Sequence, residues 1–116
     1  MSPSVILRLE GAAIALLSLA FVWSSGPSVL FAVVALAAPD LSIAAYLIGR
    51  RAGAIAYNLA HSTIGPLALG AVGMFTGERT LVELGLLWLA HVGIDRALGF
   101  GLKGTSFRDT HLGPLD

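Results

Sequence analysis

Long apolar stretches separated by short polar breaks dominate the sequence. The four stretches cover about residues 5–24, 28–49, 52–75 and 80–102. Each has roughly the twenty residues that a helix needs to cross about 30 Å of hydrocarbon. The breaks carry turn-forming residues, in "SSGPS" at 24–28, "GRRAG" at 49–53 and "TGERT" at 76–80. Because these links are short, we expect neighbouring helices to run antiparallel, as an all-α, up-down-up-down four-helix bundle of one polytopic membrane domain.

Composition agrees with a membrane protein. Of the 116 residues, 56% are hydrophobic and 12% are charged, whereas soluble domains are about 25% charged. The chain has no cysteine, which excludes disulfides, thiolate metal sites and cysteine nucleophiles. Its formal net charge is +0, so nothing in the composition indicates a nucleic-acid partner, and membrane lipid is the expected surroundings.

The positive charges predict an orientation. If all four stretches cross, six of the seven basic residues lie on one side, and only Arg79 lies on the other. Basic residues concentrate on the cytoplasmic side, so we expect an inner-membrane protein with both termini in the cytoplasm. The alternative is a cleaved signal peptide in residues 1–25, but Glu10 inside the apolar run and the lack of a clear cleavage motif argue against it.

Ionisable and amide side chains recur at similar depth in all four predicted helices, in the cytoplasmic half. They are Glu10, Asp40, Asn58, His61, His91 and Asp95. A charged residue at the centre of a span costs about 2.5–3.5 kcal/mol on insertion scales, and this cost falls if the groups face one another. The spacing fits that arrangement, because His91 and Asp95 are four residues apart and share a helix face. We therefore expect one polar cavity open to the cytoplasm, with Arg96 either inside it or extended to the interface.

Metal binding is the first chemistry that such a cavity suggests. Two imidazoles and several carboxylates suit zinc or another divalent ion, with His61, His91 and Asp95 as ligands. An ion with an open coordination position could activate water, with Asp40 or Glu10 as general base. Other possibilities stay open at this point: a proton relay or ion pathway between copies of an oligomer, a haem held by the two histidines, and a structural network in which Asp95 only fixes the His91 tautomer.

Several motifs resemble a family of small bacterial membrane proteins, domain of unknown function 4260. They are "RLEG" at 8–11, "APDLS" at 38–42, "YNLAH" at 57–61, "HVGIDRALGFGLK" at 91–103 and "FRDTHLG" at 107–113. The resemblance runs in the same order over nearly the whole chain. It implies a bacterial four-helix membrane protein and no particular reaction. A looser likeness, in residue type alone, connects the chain to seven-helix membrane hydrolases that gather His and Asp inside a bundle.

The resemblance also changes the expectation for the polar tail, residues 103–116. Composition alone favours a free end, but "DTHLG" belongs to the motif set. We therefore expect the tail to dock over the cytoplasmic mouth of the bundle, with Thr110 beside the site and His111 as a further metal ligand.

Three functions are compatible with these residues. The first is a metal-assisted hydrolase that acts on a lipid-like substrate inside the membrane. The second is an oligomeric binding or transport module for an ion, a proton or a small molecule. The third is a structural or partner-binding membrane protein, in which the polar cluster only specifies helix packing. The sequence alone does not decide whether the protein is an enzyme.

Overall fold

A computed structural model describes residues 2–100, and every element in this part of the chain is helical. The elements are α1 (Pro3–Ser25), α2 (Val29–Ala37), a 3₁₀ helix (Ala38–Leu47), α3 (Arg50–Ala60), α4 (Ile64–Thr76) and α5 (Arg79–Leu98). The all-α prediction is confirmed. The first and fourth apolar stretches each form one helix, while the second and third are divided.

Local sequence explains where the long helices begin and end. The hydroxyl oxygen of Ser2 accepts a hydrogen bond from the Val5 N–H at the start of α1, at 3.3 Å, and Ser28 does the same for Phe31 in α2, at 3.1 Å. Helix α1 ends at Gly26, whose φ of +77° is the left-handed conformation that glycine adopts without strain. The turn before α2 is therefore fixed by a glycine cap followed by a serine cap.

Prolines account for both interruptions. Pro39 has no N–H, so it cannot supply the next helical hydrogen bond, and the helix tightens from α to 3₁₀ geometry at Ala38. In a continuous third helix, the ring of Pro66 would clash with the Ser62 carbonyl. The helix instead stops at Ala60 and restarts at Ile64, which places Pro66 in the first turn of α4, with a bend of 44° between α3 and α4.

Helix α5 is the centre of the molecule, and α1 and α4 pack on it. The Arg8 Nε donates to the Ala97 carbonyl at 2.9 Å, and the Ser25 hydroxyl donates to Glu83 at 2.8 Å, so α1 and α5 run antiparallel over their full lengths. The 3₁₀ helix packs mainly against α3. The structure does not confirm the predicted four-helix bundle, because the second stretch changes from α to 3₁₀ geometry and the third is bent by 44° at its break.

The outer surface is apolar. Large hydrophobic side chains such as Leu47 and Phe75 are 90% and 92% exposed, which water would not favour and lipid would. Within residues 2–100, two helices are long and apolar enough to cross a membrane, Pro3–Ser25 and Val29–Leu47, and a third is if α3 and α4 form one bent span. These helices indicate a membrane protein.

Candidate metal centre

Four polar side chains from three parts of the chain converge at one point. Asp40 comes from the 3₁₀ helix, His61 from the break between α3 and α4, and His91 and Asp95 from adjacent turns of α5. One ligand-type atom from each lies within 4.8 Å of all the others. The 3₁₀ helix, the α3–α4 break and α5 thus bring together residues that are far apart in the sequence, from position 40 to position 95.

Five of the six separations among these atoms, all except the one between the two carboxylates, are close to the edges of a tetrahedron. The Nε2 atoms of His61 and His91 are 3.1 Å apart. The Asp40 Oδ1 lies 3.2 Å from the His61 Nε2 and 3.0 Å from the His91 Nε2. The Asp95 Oδ2 lies 3.2 Å and 3.4 Å from the same two nitrogens. A tetrahedral zinc ion with bonds of about 2.0–2.1 Å requires ligand–ligand edges of about 3.3 Å.

Backbone carbonyls fix the protonation of both imidazoles. The His61 Nδ1 contacts the Tyr57 carbonyl at 3.0 Å, and the His91 Nδ1 contacts the Leu36 carbonyl at 2.6 Å. Since a carbonyl oxygen can only accept, each Nδ1 carries a proton, and a neutral ring then has a bare Nε2. This is the orientation that carbonyl partners impose on metal-bound histidines.

The carbonyl that orients His91 is made available by Pro39. At the change from α to 3₁₀ geometry, the carbonyl of Leu36 would bond to the N–H three residues later, which is position 39. Proline has no N–H there, so the Leu36 oxygen accepts from His91 instead. The interruption in the second stretch therefore contributes directly to the geometry of the cluster.

The helix break at His61 is stabilised from α5. The Trp88 indole N–H donates to the Ala60 carbonyl, and Arg96 donates to the His61 carbonyl at 3.1 Å. These bonds satisfy carbonyls that the end of α3 leaves without helical partners. Tyr57 stacks on the His61 ring, with ring centroids 3.8 Å apart. His61 is thereby held at one ring face, at its Nδ1 atom and at its backbone carbonyl.

Access to the cluster is one-sided. The His61 side chain is 0% exposed, and that of Asp95 is 17% exposed, while that of Asp40 is 57% exposed. His91 is also buried. An ion or a substrate would therefore reach the cluster past Asp40, which is the ligand-type residue most easily displaced.

The structure brings together some of the residues that the sequence predicted for one site and leaves others outside it. Asp40, His61, His91 and Asp95 come together, and Arg96 lies beside them. Glu10 is exposed on α1 and is not part of the cluster, and Asn58 is half-buried on α3. Thr110 and His111 lie outside the described residues, so a docked tail and a fifth ligand stay predictions.

Sequence reasoning did not identify the supporting groups. The carbonyls of Leu36 and Tyr57 carry no side-chain signal, although Pro39 marks the first of them.

Two in-line bonds of about 2 Å would set the axial nitrogens of a haem about 4 Å apart, so the 3.1 Å between the two Nε2 atoms does not suit the haem hypothesis.

Comparison with known proteins gives one family. The sequence model described as "Domain of unknown function (DUF4260)" matches residues 4–115. No curated protein and no solved structure matches the chain. The match includes all four residues of the cluster and extends through the tail.

Proposed function

The chain belongs to the DUF4260 family, and we propose that it is a membrane protein that binds one divalent transition-metal ion, zinc in the first instance, at Asp40, His61, His91 and Asp95. One observation carries the proposal. The two imidazole Nε2 atoms lie 3.1 Å apart, and one carboxylate oxygen each of Asp40 and Asp95 lies 3.0–3.4 Å from both of them. Electron-rich atoms repel one another at this range unless a metal ion or a shared proton lies between them, and we propose the metal ion.

Charge and ligand type favour a divalent ion. Two ionised carboxylates and two neutral imidazoles carry a charge of −2 in total, which a divalent cation cancels. A neutral complex avoids most of the cost of a net charge inside a bilayer. Nitrogen and oxygen ligands in tetrahedral array are typical of zinc.

Purified protein is expected to contain about one zinc per chain and to unfold at a higher temperature with zinc than after chelation, because the ion binds only the assembled cluster. Elemental analysis and thermal unfolding in detergent measure the two quantities. If the cluster is only a proton-sharing structural network, the protein will contain no stoichiometric metal, and chelators will leave its unfolding temperature unchanged.

We place both termini in the cytoplasm and α5 across the membrane as a fourth span. Helix α5 runs antiparallel to α1 from Ser25–Glu83 to Arg8–Ala97, and its twenty residues span about 30 Å. A helix paired in this way with a spanning helix crosses the same layer. In the bacterial inner membrane, basic residues concentrate on the cytoplasmic side. The excess of basic residues on one side of this chain therefore favours that membrane and cytoplasmic termini.

Single cysteines test this topology, since the chain has none of its own. We expect Arg51→Cys to be protected from a membrane-impermeant thiol reagent added outside intact cells. Ser24→Cys and Thr80→Cys should react, because both positions lie at exposed helix ends on the opposite side. Labelling at Arg51→Cys with protection of the other two would reverse the orientation. A mixed pattern for the Ser24 and Thr80 variants would show that α5 does not cross.

Hydrolysis of a lipid-like substrate is the second candidate, and the exposure of Asp40 favours it. If Asp40 yields its position, three protein ligands remain with an open one, as in catalytic zinc sites. Water bound there would be activated, with the released Asp40 carboxylate as general base. Zinc-loaded protein that releases no fatty acid from phospholipid vesicles, as measured by mass spectrometry, would remove this candidate. Oligomeric transport is a further prediction that none of these contacts specifically favours.

A further inference from the structure

The 3₁₀ helix, Ala38–Leu47, is ten residues long, whereas runs of 3₁₀ geometry beyond about four residues are uncommon. Its sequence favours the α-helix instead, because alanine and leucine, two of the best helix formers, fill five of the ten positions. Pro39 does not prevent an α-helix that begins at Ala38, since the N–H groups of the first turn have no partner within a helix. A constraint from outside the segment therefore holds it in the tighter geometry.

The metal cluster supplies such a constraint. Asp40, near the start of the segment, is held 3.0–3.2 Å from the Nε2 atoms of the two buried histidines. No residue of the segment is itself buried, so core packing does not fix its helix type. Near the other end, the ring of Tyr46 lies against Gly53 of α3. Because glycine has no side chain, this contact allows the ring to slide along α3.

From these observations we infer that Ala38–Leu47 is a metal-responsive switch, which is 3₁₀ while Asp40 binds the ion and α-helical after the ion leaves. The inference rests on the proposed metal site. A ligand shifts a conformational equilibrium only through a difference in its affinity for the two states, and here the difference is the fourth ligand, Asp40. The switch makes the segment a sensor of metal occupancy.

The two helix types differ in length, so the switch has a measurable output. A 3₁₀ helix rises about 2.0 Å per residue and an α-helix about 1.5 Å, so the ten residues shorten by about 5 Å when the ion leaves. The basic loop that contains Arg50 and Arg51 follows the segment directly. Metal occupancy is thereby converted into a displacement of positive charge at the surface that we place in the cytoplasm.

Distances between spin labels test the switch in the full-length protein. Because the chain has no cysteine, nitroxides can be attached at Val29→Cys and Arg50→Cys, two exposed positions whose separation includes the whole segment. Double electron–electron resonance should show this distance shorten by about 5 Å when zinc is chelated. A second pair, at Leu9→Cys and Trp23→Cys, is exposed on α1 and should keep its distance.

A matched pair of alanine substitutions separates the switch from metal binding. Asp40→Ala keeps three ligands and should still bind zinc, more weakly, but its label distance should stay at the shorter, metal-free value when zinc is added. Leu41→Ala changes the exposed neighbouring position and should respond to zinc as the unsubstituted labelled protein does. A zinc-dependent change in Asp40→Ala as large as in Leu41→Ala overturns the switch.

The experiment also distinguishes failure of the switch from failure of the metal site. Equal label distances with and without zinc, in protein that elemental analysis shows to be loaded, overturn the switch and leave the metal site standing. Protein that binds no zinc removes both.

Discussion

Zinc binding is expected to fall by more than about 100-fold in His61→Ala and in His91→Ala, with a stoichiometry near zero after dialysis. Loss of a group that only orients a ligand costs about 10–100-fold, and these substitutions remove the ligands themselves. Isothermal titration calorimetry of metal-free protein, together with elemental analysis, measures the loss.

The third histidine supplies the control. His111→Ala removes an imidazole from the chain but not from the described cluster. If the four clustered residues suffice, this variant binds zinc like the native protein. Loss of zinc in His111→Ala would show that the tail contributes a ligand. Native affinity in His61→Ala, in protein shown by circular dichroism to be folded, would contradict the metal site altogether.

The two carboxylates are expected to differ. Asp95 is mostly covered and lies between the two histidines, whereas the Asp40 side chain is 57% exposed. Asp95→Asn should therefore weaken zinc binding more than Asp40→Asn in the same titration, because Asp95 is the more enclosed ligand and its position is harder to refill from outside the cluster. This order of effects is also what the hydrolase candidate requires, since it needs Asp40 to leave.

Depth along a helix can be counted from the sequence, but the direction of a side chain around the helix needs a packing partner. Counting residues along each predicted helix placed Asp40, His61, His91 and Asp95 at similar depths in the membrane, and the structure brings these four together. Glu10 has a suitable height and faces away. The buried face of α1 consists of the small or apolar residues Gly11, Ala15, Ser18 and Val22. That stripe, with helical spacing, is the signal that would have placed Glu10 outside.

The helix interruptions were hidden by hydropathy, which reports side chains and not backbone hydrogen bonds. Both apolar stretches that contain a proline near the middle are divided, at Ala38 and at His61. Pro39 and Pro66 can be read from the sequence as residues that leave a carbonyl one turn upstream without its helical partner, but the sequence does not show which groups donate to the free carbonyls. In the structure, the Leu36 carbonyl and the two carbonyls at the end of α3 accept from His91, Trp88 and Arg96, all of which come from α5. The structure does not confirm the four-helix bundle, because the second and third apolar stretches are interrupted near these prolines.

Gly93→Ala is expected to destabilise the protein, although alanine is the better helix former by about 1 kcal/mol. A Cβ at position 93 would lie 2.6 Å from the Gly11 carbonyl oxygen and 2.8 Å from the Ala15 nitrogen. Both are backbone atoms and cannot rotate away, so α1 and α5 must separate. Overpacking of this kind costs about 1–3 kcal/mol, and more where the backbone cannot adjust.

The matched substitution should have the opposite sign. A Cβ at Gly70 in α4 would meet nothing within 4 Å, so Gly70→Ala should stabilise the protein by about 0.5–1 kcal/mol through helix propensity alone. Thermal unfolding in detergent compares the two variants with the native protein. Because Gly93 lies between His91 and Asp95 on α5, its variant should also bind zinc more weakly, while Gly70→Ala should not. Equal unfolding temperatures for the two variants would show that the close α1–α5 contact does not hold the metal ligands in place.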